Sequence, residues 1–293
     1  MANLKEVRNR ITSVNNTMQI TSAMKMVSAA KLRKAQDAVT QMRPYSIKLQ
    51  EILSGLSSGL DTSENTFGRN NNINNVLIIA ITSNRGLCGG FNSQVIKRTH
   101  HMIQNEYAGN NVTVLAFGKK AADAFRKTEY FIKGTLLPRH TSEIFDNLDF
   151  EHAAAAATKI MDSFAAKQFD KVALVYNHFK NAATQLVQEE QFLPIAPIQT
   201  SENTAINQDY IFEPNQAEIV HDLIPKSLKT QLYKALLDSF AGEHGARMTA
   251  MHKATDNASD MLKDLKLTYN KARQAAITTE ILEIVGGAEA LNA

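Results

Sequence analysis

Three glycines and a cysteine follow a run that reads as a buried strand. Val76–Thr82 is VLIIAIT, and SNRGLCGGFN comes next, carrying Gly86, Cys88, Gly89 and Gly90. A glycine turn between a buried strand and a helix is where α/β folds cradle phosphate. The spacing here matches neither standard fingerprint. A Walker loop needs Gly-Lys-Ser/Thr with a further glycine five residues before the second one. The Gly-Lys of this chain is Gly118-Lys119, with Lys120 after it and Thr113 at the place of the first glycine. The dinucleotide pattern fails as well. Gly86, Gly89 and Gly90 therefore read as a structural turn that lets backbone segments pack closely, with phosphate binding as the competing reading.

The other reactive side chains are no more specific. Cys88 lacks a histidine nearby in sequence to act as its base, so it reads as a small buried thiol. A single cysteine excludes an internal disulfide and fits a reducing compartment. The eight histidines show no metal-ligand spacing. His244 and His252 share a helical face but lie roughly 12 Å apart along it, and His100 and His101 point in different directions. No acid/base pair stands out. The expectation is no catalytic residue, no cofactor and no metal.

The elements around the turn are more informative. No glycine precedes Gly55 and none lies between Gly245 and Gly286. Both glycine-free ends keep an apolar stripe at seven-residue spacing, the pattern of a left-handed supercoil. In the first helix one seam row is Leu4, Ile11, Met18, Lys25, Leu32 and Val39; the other is Val7, Val14, Thr21, Ser28, Ala35 and Met42. The seam is polar at Thr21, Lys25 and Ser28, and Pro44 is expected to kink or interrupt the helix. Ala2 to Ser54 would span about 80 Å at the helical rise.

The last helix is expected to start near Pro214 and to be disturbed at Pro225; from Lys226 to Val285 it would run about 90 Å. Its seam is Met248, Met251, Thr255, Ala258, Leu262, Leu265, Tyr269, Ala272, Ala276 and Thr279. Beyond it, Ile281, Leu282, Ile284, Val285, Ala288 and Leu291 cover about half the helix circumference, whereas one amphipathic stripe needs only about 100°. A single partner helix cannot cover that width. Either this tip frays in solvent or an apolar socket receives it.

Between the ends, strands are expected at Val76–Thr82, Val112–Phe117, Glu129–Lys133, Lys171–Tyr176, Gln185–Phe192 and Asp209–Phe212. Helices are expected after the glycine turn to about Tyr107, from Lys119, and over Glu151–Lys167. Asn70–Asn75 reads as a linker and Asn203–Gln208 as an exposed loop. Strand–helix alternation predicts a mostly parallel sheet. The fold class is α/β: a long antiparallel coiled coil of the N- and C-terminal helices (1–57 and 213–293) plus a central Rossmann-like α/β domain (70–212).

Composition sets outer limits. The chain has 293 residues, 44% hydrophobic, with a formal charge of +3, too small to argue for nucleic acid alone. Residues 1–57 hold nine Lys or Arg against three Asp or Glu, a net +6, so the remainder carries −3. That favours an acidic partner surface, with a solvated basic face as the alternative. No apolar run approaches the ~18 residues of a membrane span. The start, MANLKEVRNR, lacks the apolar region of a secretory leader. It is basic and poor in acids like a transit segment, but the heptad stripe runs through it to residue 42.

Three stretches, in order, resemble one family. NRITSVNNTMQITSAMKMVSAAKLRKAQ, SNRGLCGGFN and ARMTAMHKATDNASDMLKDLKLTYNKARQAAITTEILEIVGGAEAL are similar to the gamma subunit of the proton-translocating F-type ATP synthase. The match is close over roughly half the chain. Asn84 stands where an acid is usual, and Phe91 where an aliphatic is usual.

The resemblance implies a non-catalytic rotor shaft. Its paired helices would enter the 3:3 hexamer of alpha and beta subunits, and its α/β domain would bind the epsilon subunit and the c-subunit ring. Proton flow would turn the shaft and drive ATP synthesis or hydrolysis on the beta subunits. The resemblance also implies beta-subunit contacts at Arg273, Gln274, Thr278 and Met24. It places the apolar tip (Ile281, Leu282, Ile284, Val285, Leu291) in a bearing sleeve. It implies a peripheral position on the cytoplasmic side of a bacterial inner membrane, the mitochondrial matrix face being the alternative. Two other readings stand beside it: a nucleotide-binding α/β enzyme with helical arms, and a basic coiled-coil scaffold for nucleic acid. Neither accounts for the wide apolar tip.

Overall fold

A computed structural model describes residues 4–57, 67–68, 73–132, 137–138, 141–182, 184–195 and 216–292. The elements run α1 (Leu4–Ser57), β1 (Asn75–Ile81), α2 (Phe91–His101), β2 (Asn111–Phe117), α3 (Lys119–Phe125), α4 (Phe150–Ala165), β3 (Lys171–Phe179), β4 (Gln185–Leu193) and α5 (Gln216–Asn292). A π-helical turn over Met102–Glu106 extends α2, and a 3-10 turn covers Glu143–Phe145. Contacts divide the chain into two compact units: Met1–Ser28 with Met248–Ala293, and Ala29–Arg247.

The second unit is built on a four-stranded sheet ordered β2-β1-β3-β4. β1 pairs in parallel with both β2 and β3, and β4 closes one edge antiparallel to β3. β1 is apolar and buried from Val76 to Ile81 because both of its faces are covered. Leu77, Ile79 and Ile81 point into a core formed with Ala153, Ala157, Ile160 and Phe164 of α4 and with Ile224, Leu228, Leu232 and Leu236 of α5. Val76, Ile78 and Ala80 point the other way, into a core with Val95 of α2 and Ala121 and Phe125 of α3. The four-residue spacing of Ile224, Leu228, Leu232 and Leu236 lays one stripe of α5 on the sheet. The stretch of that helix from Ile224 to Leu236 therefore serves as a layer of the α/β core, a role the coiled-coil reading of the C-terminus did not anticipate.

The first unit pairs the two chain ends. Val7, Thr21 and Ser28 of α1 are buried, as are Met251, Ala258 and Leu262 of α5. The Thr21 and Thr255 hydroxyls share a hydrogen bond of 2.8 Å, which satisfies both polar seam positions and fixes an antiparallel register. Carried along both helices, that register sets Val7 opposite Tyr269 and Leu4 opposite Ala272. The burial row agrees: Ala272 is the last half-buried residue of α5, and everything described after it is exposed. Ala276 and Thr279, expected in the seam, are exposed, lying past Ala272, which the register sets opposite Leu4, the first described residue of α1.

Other expectations also need correction. α1 and α5 run through Pro44 and Pro225 without interruption. Pro44 lies on an exposed stretch of α1, away from the seam. The strand expected over Glu129–Lys133 shrinks to one bridge, Phe131 with Val114. The expected strand at Asp209–Phe212 and loop at Asn203–Gln208 lie outside the described residues.

Candidate functional site

The glycine loop is knitted by its own side chains. The Ser83 N–H donates to Asn92 Oδ1 at 2.9 Å, and Asn92 Nδ2 donates to the Cys88 sulfur at 3.1 Å. Leu87 (φ +63°) and Gly89 (φ +58°) both adopt the left-handed backbone that reverses the chain, which Gly89 tolerates without a Cβ penalty. Gly86 and Gly90 have ordinary backbone, and an added Cβ there would meet only side chains at normal contact distance. Asn84 donates to the Ser142 carbonyl at 2.7 Å and accepts from the Lys119 N–H at 3.1 Å. An acid at this position could accept but not donate. Burial pushes the Cys88 thiol up from its ordinary pKa, the opposite of what a nucleophilic thiolate requires.

The loop's converging polar groups are carbonyls. Arg247 Nη2 donates to the Arg85 and Gly86 oxygens, each at 3.2 Å, and Nε reaches Gly86 at 3.4 Å. A phosphate cradle aims N–H groups at its ligand; this loop aims acceptors at a guanidinium. Arg247 Nη1 also pairs with Glu243 Oε1 at 2.6 Å, one helical turn earlier, and both side chains are nearly inaccessible. Burial raises the Glu243 carboxyl, against the pull of Arg247, Lys31 and Arg85.

His244 completes the cluster. Its ring meets Phe240 edge-on at 4.5 Å between centroids, and its Nδ1 accepts from Arg247 at 3.4 Å. Burial, then the charges of Arg247 and Lys31, lower its pKa to about 3. His252, its supposed face-mate, is exposed and lies 3.4 Å from Asp256.

A histidine neutral when folded and titrating near its ordinary value when unfolded stabilises the fold above about pH 6.5. That contribution is lost as pH falls from there toward about 3. Between pH 7 and pH 5 the native chain should lose up to about 2 kcal/mol more unfolding free energy than His244→Gln. Urea titrations of both proteins at the two pH values measure this difference. The raised carboxyls titrate alike in both and cancel.

The shaft candidates lie in the first unit. Arg273, Gln274 and Thr278 are exposed on α5, with the Thr278 hydroxyl donating to the Gln274 carbonyl at 2.9 Å. Met24 is half-buried beside the seam residue Thr21. Thr21 pairs with Thr255, eighteen residues before Arg273 on α5, so the four residues do not converge on one site. Past them Ile277 is 48% exposed, Ile281 55%, Leu282 66%, Ile284 66% and Val285 50%. Leu291 lies in α5, but its side chain is outside the described residues. Eight of the nine basic residues of 1–57 are exposed and Lys25 is half-buried. Among the described residues no cluster of three His, Cys, Asp or Glu could hold a metal ion, and no helix is long and apolar enough to cross a membrane.

The geometry identified only from the structure is the Glu243–His244–Arg247 cluster. Its sequence signal was a Glu and an Arg four apart among small residues, immediately before the seam at Met248.

Known proteins agree with the architecture. A family model described as ATP synthase matches residues 3–291. The ATP synthase gamma chain of Flavobacterium johnsoniae is 61% identical over 293 residues, and that of Christiangramia forsetii 59%, each alignment covering both chains in full. The ATP synthase gamma chain of Chlorobaculum tepidum is 45% identical over 297 residues, again with both chains fully covered. Among solved structures, a chain of the Euglena gracilis mitochondrial ATP synthase rotor aligns at a TM-score of 0.65 and 22% identity, covering 94% of this chain and 98% of that one. At that identity the likeness speaks for the fold. Matched over essentially its whole length by family and relatives alike, the chain belongs to the ATP synthase gamma-chain family.

Proposed function

We propose that this chain is the central rotor shaft of an F-type ATP synthase, coupling proton flow through a c-subunit ring to ATP synthesis and hydrolysis on the beta subunits. One observation carries the reading. Past Ala272, α5 continues with no helix against it among the described residues and exposes Ile277, Ile281, Leu282, Ile284 and Val285. A contiguous apolar surface of this kind marks an interaction site. It spans the helix too widely for one partner helix, and a sleeve formed by the surrounding alpha and beta subunits would cover all of it. The exposed basic residues of α1 suit acidic loops on the beta subunits. The epsilon subunit and the c ring would be held by the α/β unit. The complex would sit peripherally on the cytoplasmic side of a bacterial inner membrane.

Coupling requires that each shaft angle favour a different beta conformation, since a partner binding all states equally shifts nothing. Arg273 and Gln274, with Thr278 and Met24, are proposed as contacts that make this distinction. Losing a charged hydrogen bond of about 1.5–3 kcal/mol from one beta state should be visible in coupling. The Arg273→Ala variant is therefore expected to fold and assemble normally but to synthesise ATP about tenfold more slowly at a fixed proton gradient. The first test is co-purification: the tagged chain should bring down alpha and beta subunits in a 3:3 ratio. A chain recovered alone from cells expressing all subunits would refute the shaft reading. Normal synthesis by Arg273→Ala would refute that contact only.

A further inference from the structure

Glycine inside a helix is destabilising, by about 0.5–1 kcal/mol relative to alanine, so glycines kept in α5 call for a reason. Gly242 and Gly245 sit one turn apart, where loops from the sheet reach the helix. A Cβ on Gly242 would come within 3.3 Å of the Phe91 ring and 3.6 Å of the Asn177 carbonyl oxygen. A Cβ on Gly245 would come within 3.2 Å of the Ala182 backbone and 3.4 Å of Phe179. Two separate loops thus press on bare helix backbone: the one leaving β1 and the turn between β3 and β4.

Polar locks flank this close approach. On one side Asp238 Oδ2, almost fully buried, meets His178 Nδ1 of β3 at 2.7 Å. On the other, Arg247 is paired to Glu243 and grips the Arg85 and Gly86 carbonyls. Asn177 Nδ2 donates to the Phe91 carbonyl at 3.0 Å, so β3 is also bonded to the start of α2, where the glycine loop ends. A buried ion pair is weak evidence for stability, and an apolar pair of similar volume often does as well. Its value here would lie in geometry: a guanidinium can serve a carboxylate and two carbonyls at once, in a fixed orientation.

We propose that residues 238–247 of α5 form a torque joint, in which Arg247 is the positioning residue that clamps the loop 83–92 to the helix so that the α/β unit and α5 turn together without slip. The inference rests on the shaft reading. It assigns to these residues the transfer of torque between the sheet and the helix, a role separate from any contact with the beta subunits. The glycines remove standoff between the parts, and the ion pair and carbonyl bonds resist sliding along the helix axis and rotation about it.

The test uses the Glu243→Gln/Arg247→Met double variant in the assembled, membrane-reconstituted enzyme. Removing both charges leaves no unpaired buried ion, so the fold is retained while the carbonyl bonds are lost. Backbone amides of residues 84–90 should exchange at least tenfold faster than in the native enzyme. ATP-driven proton pumping per ATP hydrolysed should fall severalfold while hydrolysis persists. Native exchange in the loop would overturn the clamp. Faster exchange with native pumping would show that Arg247 is only structural. Should the double variant not assemble, Arg247→Lys is read in the same way, because an ammonium can meet Glu243 but cannot fork to both carbonyls. Absence of pumping by the native enzyme would overturn the shaft reading and the torque claim with it. Loop exchange would still report whether Arg247 holds the loop.

Discussion

Arg247→Ala should lower the unfolding free energy of the chain by about 3–5 kcal/mol, the usual loss when one partner of a buried ion pair is removed. Both members of the pair are nearly inaccessible, at 8% and 10% side-chain exposure. The truncation leaves Glu243 buried with its nearest cation gone. It also strips the guanidinium donors from the Arg85 and Gly86 carbonyls; Arg85 keeps the bond donated by the Ser83 hydroxyl, whereas among the bonds described Gly86 has no other donor. Burial already raises the Glu243 pKa, against the pull of Arg247, so without the guanidinium the carboxyl should take up a proton more readily, returning part of the loss. Urea unfolding of the isolated chain at alkaline pH limits that relief and should show most of the effect. A change below about 1 kcal/mol, the size of an exposed pair, would mean that water reaches the cluster.

Gly118→Ala should cost about 3 kcal/mol or more, by two independent mechanisms. Gly118 has φ +100° and ψ 147°, a region that is essentially glycine's own. An added Cβ would also collide with the Thr82 carbonyl oxygen. Neither neighbour can yield easily. Thr82 N–H bonds the Phe117 carbonyl at 2.8 Å, and its hydroxyl accepts from the Ala121 N–H at 2.9 Å at the start of α3. The glycine of the chain's Gly-Lys pair is thus explained by the passage from β2 into α3. Thermal unfolding of Gly118→Ala beside Gly90→Ala gives the comparison: Gly90 has ordinary backbone and room for a methyl group, so its variant should unfold close to the native temperature.

The long-range arrangement was legible where periodicity carried it. The heptad rows from Leu4 to Met42 are the covered positions of α1, and the stripe continues to Leu49. The apolar run of β1 announced a strand covered on both faces, as it is. Sequence was silent on what covers it. Ile224, Leu228, Leu232 and Leu236 repeat every four residues, and that spacing serves a helix on a sheet as well as a helix on a helix. Only the fold distinguishes them. The end of the seam was missed for a different reason: Ala276 and Thr279 keep the right spacing, but the register fixed by Thr21 and Thr255 places them beyond the described part of α1. The Arg247 cluster was hidden because a Glu and Arg at i, i+4 read as a solvated pair. Their burial depends on two loops more than sixty residues away in sequence. Asn84, noted only as a departure from the family, acts as both donor and acceptor between Ser142 and α3.

Rotation itself is the most direct measurement. Asp123 on α3 is exposed, while Cys88 is buried, so Asp123→Cys offers a single accessible thiol for a bead. With the alpha and beta subunits of the assembled head fixed to a surface and ATP supplied, the bead should turn steadily in one direction. Sustained ATP hydrolysis with the bead standing still would contradict the shaft.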